Sequence, residues 1–480
     1  MQRGIFISVL LAIVIFQILG EKVPINEGAY GDGLFFREVA VSFLDKIENE
    51  SYNVVQIQRL LPFAMVNMIF SMFGFDHDYD SLMSGMLIFH FLMLIPGIYW
   101  YFSLTKKMRL RSSMTFLGFF LLFANFAILK ETWYNPFATD FTALILGIGQ
   151  VNYFVRHERQ KLFLVSIVGG FVWPTLLLTG LILIFLPSDA MQLHEGPRPK
   201  SFFPILASAI FLFLLILISA FTGRFANGQT WDIILHKLSL LSMVAFVFVF
   251  MIKNPIQWKQ SWLLFRKKLK SPKVIRLVSI LLAFVFIVFL LSGSNNNFNT
   301  EGLAQAYFGN MLRFPLDFLV GHLMYFGFLI PLSLVFFPRM LKEMAKLGMG
   351  FTVVCLILFV LVLHPESRLL MPLIPFLVFL LLKALRTYRI LDKDLYVVGG
   401  LNLLLSAFWW PLNVNGMSDA LLSIQREVIQ AFPAQRYWMH FGEMMSFTVY
   451  FVGGVLFSLL VLLAWRGKGR YIRMAKGEVR

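Results

Sequence analysis

The chain has one cysteine, Cys355, and it lies inside an apolar run. An intrachain disulfide framework and a cysteine-built metal site are therefore excluded. Charge is scarce: only 14% of the 480 residues are Asp, Glu, Lys or Arg, with 26 acids against 42 bases. No stretch is long and polar enough to make a separate soluble domain. No P-loop, His-Glu-x-x-His, Cys-x-x-Cys or haem motif occurs. Nor is an internal repeat visible, which weakens the case for an inverted-repeat transporter.

Apolar residues are abundant, at 58% of the chain. A soluble protein of this length has no means of hiding so much apolar surface. Apolar runs of about 20 residues, the length that crosses ~30 Å of hydrocarbon, recur from end to end. The reading is all-α: one polytopic membrane domain over 1–480. The net charge of +16 does not indicate nucleic acid, because the bases lie in short loops where they set orientation and meet anionic lipid. Ile5 to Leu19 has the apolar core of a signal peptide but no small-x-small cleavage site, so it is expected to stay as a first helix.

The basic loops are Lys106 to Arg111, Arg156 to Lys161, Lys253 to Arg276, Arg339 to Lys346, Lys383 to Lys393 and Arg466 to Arg480. Positive loops face the cytoplasm. Both termini are then cytoplasmic, and 21–79, 130–135, 222–231, 293–312, 364–367 and 413–445 face outward. The chain is expected to be integral to a membrane with multiple passes. About twelve spans of membrane length are expected, near 4–20, 80–104, 113–129, 136–155, 201–221, 232–252, 273–292, 313–337, 350–364, 368–386, 394–412 and 446–465. Arg59–Gly74 is too short and is read as interfacial or re-entrant. Segment 162–187 is interrupted by Gly169, Gly170 and Pro174, and is read as two short helices that return to one side.

The outer loops carry the candidate chemistry. Asp32 lies between Gly31 and Gly33, at the start of an amphipathic segment marked by Phe36, Ala40, Phe43 and Ile47. It suits a helix N-cap, and the glycines also allow close approach of a ligand. Arg59, before Leu-Leu-Pro62, is either a snorkelling arginine or a phosphate clamp. Lys130, Glu131, Trp133 and Tyr134 occupy a short outer turn, the aromatics as interfacial anchors. Asp140 follows inside an apolar run, where a carboxylate is costly unless paired or facing a cavity. Asp76, Asp78 and Asp80 read as a solvated acidic turn, although carboxylates also suit hard cations. His364, Glu366 and Arg368 crowd a very short turn before Pro372 and Pro375. They make either an interfacial salt bridge or a second cationic contact. Trp438 and His440 close the polar loop 413–445, and Gly293 to Asn297 reads as loop.

Three of these elements together resemble the GT-C superfamily of integral-membrane glycosyltransferases. They are Asp32-Gly33-Leu-Phe-Phe36-Arg-Glu-Val-Ala40, Gln58-Arg59-Leu-Leu-Pro62, and Glu366-Ser-Arg368 with Pro372 and Pro375. The resemblance covers mainly 1–150 and 360–380. It implies a sugar moved from a polyprenyl-phosphate donor, with inversion, to an extracytoplasmic glycan, lipid or protein acceptor. Asp32 would be the base, and Glu38 the second acid. Arg59, Gln58, Lys130, Glu131, Asp140, His364, Glu366 and Arg368 would contact substrate. The resemblance leaves room for a divalent cation, magnesium or manganese. Two other classes stay open. One is a lipid or polysaccharide transporter or flippase, which calls for charges deep in several spans; the chain has few beyond Asp140, Asp317 and His322. The other is a non-catalytic scaffold of the same fold.

Overall fold

A backbone in hydrocarbon must satisfy its own polar groups, and an apolar chain does so most simply as helix. The computed structural model describes residues 2–23, 25–29, 32–48, 52–186, 189–193, 202–221, 230–269, 271–292, 312–410, 445 and 447–475. Gly31, Gly293 to Asn297, Trp438, His440 and nearly all of 413–445 lie outside them. The first helices are α1 (Gln2–Ile18), α2 (Gly33–Glu48), α3 (Val54–Ile57), α4 (Leu61–Phe73), α5 (Tyr79–Met108), α6 (Ser112–Phe123) and α7 (Thr132–Tyr134). Next come α8 (Asp140–Arg156), α9 (Arg159–Gly170), α10 (Pro174–Phe185), α11 (Phe202–Phe221), α12 (Thr230–Ile252), α13 (Trp258–Leu269) and α14 (Pro272–Leu291). The last are α15 (Asp317–Phe326), α16 (Leu329–Lys346), α17 (Met349–Val362), α18 (Ile374–Leu385), α19 (Asp392–Leu405) and α20 (Phe447–Ala475).

The protein is an all-α membrane protein, and its helices differ from the twelve-span expectation. Among the described residues, four are long and apolar enough to cross: α5, α12, α14 and the first part of α20. Two bent pairs raise the number to six. Six other apolar helices run 10–17 residues, short of the roughly 20 that ~30 Å of hydrocarbon requires. The expected span 113–129 is broken after Phe123, and α6 meets the following helical segment at 55°. The expected span 313–337 is broken between α15 and α16, which turn by 113°. The expected span from 368 starts with a 3-10 turn, Ser367–Leu370, and its α-helix begins only at Ile374.

The breaks have local causes. Gly327 holds φ 64°, which a side chain would resist, and its missing Cβ leaves room for Asn402 Oδ1. Fully buried Asn402 serves both bends at once. Its Oδ1 accepts from the Phe328 N–H at 2.8 Å, and its amide donates to the Phe120 and Ala124 carbonyls at 3.0 and 2.7 Å. After the first bend comes a π-helical turn, Ala127–Glu131. Such turns rotate side chains out of the α register and recur at functional sites.

The α9–α10 pair forms an antiparallel hairpin: a Cβ on Gly169 would meet Leu176, and one on Gly180 would meet Ser166. In the first loop, α2 packs on α4 through the stacked rings of Phe36 and Phe63, 4.6 Å apart. Asn67 on α4 donates to the Ala40 carbonyl of α2 at 2.9 Å. The opposite face of α4 exposes Met65, Met68 and Met72, as a helix lying at a lipid interface would.

Replacing Asn402 by Leu removes the shared partner of two bends. We expect a stability loss of about 2 kcal/mol or more, measured as a lowered unfolding midpoint in detergent. Asn402→Gln should recover part of it. An unchanged midpoint in Asn402→Leu would show that the bends hold without this bridge.

Candidate functional site

The site is built where the start of α8, the π turn, the 363–373 connection and the α9–α10 break converge. Asp140 opens α8, Glu131 ends the π turn, and Glu366 and Arg368 lie on the connection. The connection lies directly against α8: a Cβ on Gly147 would fall 2.3 Å from the Pro372 carbonyl. Only glycine admits that approach.

Arg368 is the centre. It donates from Nη2 and Nε to Glu366 Oε1, at 2.9 and 3.2 Å. Asp140 and Glu131 also act on it electrostatically. Arg59 reaches Asp140 and Glu366 in the same way. The two arginines therefore share carboxylates, although 309 positions separate them (368 − 59). The Arg59 guanidinium lies over the Trp173 ring at 4.4 Å, a cation–π contact. From the other side its Nη1 faces Asp32 Oδ2 at 3.4 Å, with the Asp32 side chain mostly exposed. Asp140 is buried, and its Oδ1 has no hydrogen-bond partner among the described residues.

Helix α15 braces the site from behind. Tyr325 donates its hydroxyl to the Glu131 carboxylate. One turn earlier, His322 lies between Ser367 Oγ and the Val362 carbonyl, 2.9 Å from each. A carbonyl only accepts, so Nε2 carries the hydrogen and Nδ1 accepts from the Ser367 hydroxyl. Both side chains lie on one helical face because they are three residues apart. His364 accepts the Glu366 N–H on Nδ1 at 3.1 Å, shaping the same turn.

Several expected residues take other roles. Glu38 is exposed and pairs with Lys46, eight positions along α2. That pairing is helped by the kink at Ser42, and it ties Glu38 to its own helix rather than to the Arg59–Arg368 group. Gln58 donates to the Val54 carbonyl at 3.0 Å and so closes α3. Lys130 is buried and donates to the Trp410 carbonyl at 3.0 Å. Its electrostatic neighbours are Glu21 and Lys22 rather than the arginine cluster. Trp133 and Tyr134 are fully buried rather than interfacial; Trp133 Nε1 donates to the Ile128 carbonyl and fastens the π turn. Asp78 caps α5 by accepting the Ser81 N–H at 3.0 Å. Among the described residues no three His, Cys, Asp or Glu side chains converge to hold a metal ion. Trp173, Tyr325 and Ser367 carry parts of the site that the sequence reading did not assign. The helix break at Pro174 pointed toward Trp173, and the Glu366-Ser-Arg368 element contained Ser367 without giving it a role.

Compared with family models, curated proteins and solved structures, the chain matches none.

Burial works against the charge of Glu366, but Arg368, with His364 and Arg59 behind it, outweighs burial. The carboxyl is held below its ordinary value of 4.5. A lowered folded value means that the stabilisation is full above the ordinary value and is lost as pH falls through the folded one. Glu366→Gln should therefore flatten the acid limb of the stability-versus-pH curve below about pH 5, while the wild type loses stability there. Parallel curves would remove Glu366 from the acid response. Arg368→Gln strands three carboxylates together and should cost about 3–5 kcal/mol; adding Asp140→Asn should restore part of it. If the second change costs as much again, the two groups are not coupled.

Proposed function

We propose that the protein is a multi-pass membrane glycosyltransferase of the GT-C type. It takes a sugar from a polyprenyl-phosphate donor on the extracytoplasmic side, in a bacterial inner membrane, with both termini in the cytoplasm. In the twelve-span reading, shorter apolar helices such as α1, α17 and α18 also cross, where the bilayer thins locally to match them. One observation carries the proposal: an exposed carboxylate, Asp32, touches one of two arginines that share the carboxylates of Asp140 and Glu366, beside the amphipathic helix α2 and the short apolar helix α4. A base at a water-facing position and guanidinium groups behind it are what such a transfer needs.

The chemistry balances in one displacement. The acceptor hydroxyl oxygen attacks the anomeric carbon as the bond from that carbon to the phosphate oxygen breaks. Asp32 receives the hydroxyl proton. The electron pair leaves with the polyprenyl phosphate, whose growing charge meets Arg59 and Arg368. The products are an inverted glycoside and polyprenyl phosphate. The 3.4 Å Asp32–Arg59 contact is long for a charge-assisted bond, so a phosphate can displace it at little cost. Asp140 and Glu366 keep the two guanidinium groups together, and Trp173 fixes the plane of one.

Asp32→Asn keeps the side-chain shape. Its stability should change by less than about 1 kcal/mol, because the ion pair is largely exposed. Release of polyprenyl phosphate from sugar-loaded donor in membrane vesicles should fall by about 10²-fold or more. Arg59→Lys loses the paired donors and should weaken donor binding by roughly 10-fold. Near-normal transfer by a folded Asp32→Asn variant would leave a scaffold or a lipid transporter as the better reading.

A further inference from the structure

The far end of the same bundle carries the opposite charge. A cavity of about 760 Å³ opens there, lined by the ends of α5, α8, α16 and α18 and the start of α9. Lys107 and Arg109 come from the end of α5, and Arg159 begins α9. Arg339 and Lys346 come from α16, and Lys383 and Arg386 from the end of α18. Glu343 is the one carboxylate in the lining. It is already shared by Arg339 and Lys346, each at 2.8 Å. Arg386 donates to the Met108 carbonyl at 2.9 Å. Lys107, Arg109, Arg159 and Lys383 make no ion pair with a carboxylate among the described residues, although Glu343 acts on Lys383 from a longer distance.

A plain explanation is that these bases complement helix C-termini. The magnitudes do not close on that account. Four C-termini, those of α5, α8, α16 and α18, supply about −0.5 each, or roughly −2 in all, and the α9 N-terminus gives part of that back. Seven cations less one carboxylate leave a formal +6 on the lining. Lys383 feels the Glu343 carboxylate, but Lys346 and Arg386 both oppose its charge. The remaining repulsion is relieved by an anion of two or more charges. Guanidinium forks fit phosphate oxygens in pairs. The volume lies within the ~300–1,000 Å³ usual for ligand sites, far more than a single phosphate fills.

We propose that this cavity binds a diphosphate-bearing anion, supplied either by a two-phosphate lipid headgroup or by a soluble diphosphate. The site is separate from the arginine–carboxylate cluster. Asp140 and Arg156 are the two ends of α8, a 17-residue helix of about 25 Å. The proposal does not depend on glycosyl transfer.

The test uses the full chain in phosphatidylcholine nanodiscs and follows the unfolding midpoint. One arm adds inorganic pyrophosphate; the other mixes cardiolipin into the disc. At least one should raise the midpoint, less so at high salt. A response to pyrophosphate identifies a soluble source, and a response to cardiolipin alone identifies a lipid. Arg159→Gln with Lys383→Gln should weaken the responding ligand by about 10-fold or more, while Arg159→Lys with Lys383→Arg should keep it. Glu343→Gln adds one net positive charge to the lining and should tighten binding; it remains informative if the double Gln variant does not fold. No response in the wild type, or equal responses in the wild type and both Gln variants, overturns the site.

Discussion

Everything at the acidic end of this molecule depends on keeping the Arg368 guanidinium largely out of water. A buried cation is tolerable only with carboxylates arranged around it, and each carboxylate is tolerable only because of the cation. Here they arrive from separate elements: Glu366 from the same turn, Asp140 from the start of α8, Glu131 from a π turn. None of those positions is free to move alone. The glycine at 147, the Trp133 bond that fastens the π turn and the His322–Ser367 contact are all consequences of that arrangement.

The same demand accounts for the broken helices. Irregular backbone in a membrane protein persists only where protein or a cavity satisfies it. Asn402 satisfies both bends, and one of those bends leads into the π turn that presents Glu131. A continuous α-helix through 113–134 would place Glu131 on a different face. Discontinuity and the charged cluster are thus two sides of one solution: the bundle gives up helical length to bring carboxylates and arginines together.

The two ends of the bundle are electrostatically unlike. At one end four carboxylates surround two arginines, so each cation has its acidic partners beside it. At the other the cations outnumber their acidic partners, and the excess faces a roomy cavity. Matched charge fixes geometry, whereas unmatched charge attracts a ligand.

The sequence by itself determined the class. Hydropathy and the scarcity of charge call for a membrane protein, and continuous apolar runs of about 20 residues, rather than short alternating ones, call for helices. It also pointed to Asp32, Arg59, Asp140, Glu366 and Arg368, because an ionised group in an apolar context stands out against its neighbours. The short α4 and the split of 162–187 were legible from Pro62, Gly169, Gly170 and Pro174. Tertiary structure alone decided that α15 and α16 turn through 113°. It alone removed Glu38, Gln58 and Lys130 from the cluster, and it alone recruited Tyr325, Ser367 and Trp173. The reason is the distance along the chain over which a polar group finds its partner. Gly327 marks where a break is allowed, but Asn402, some 75 positions away (402 − 327), makes it stable. Lys130 and Glu131 are neighbours in sequence, yet the π turn sends one to the Trp410 carbonyl and the other to Tyr325. Local composition tells which groups need partners, and only the folded chain supplies them.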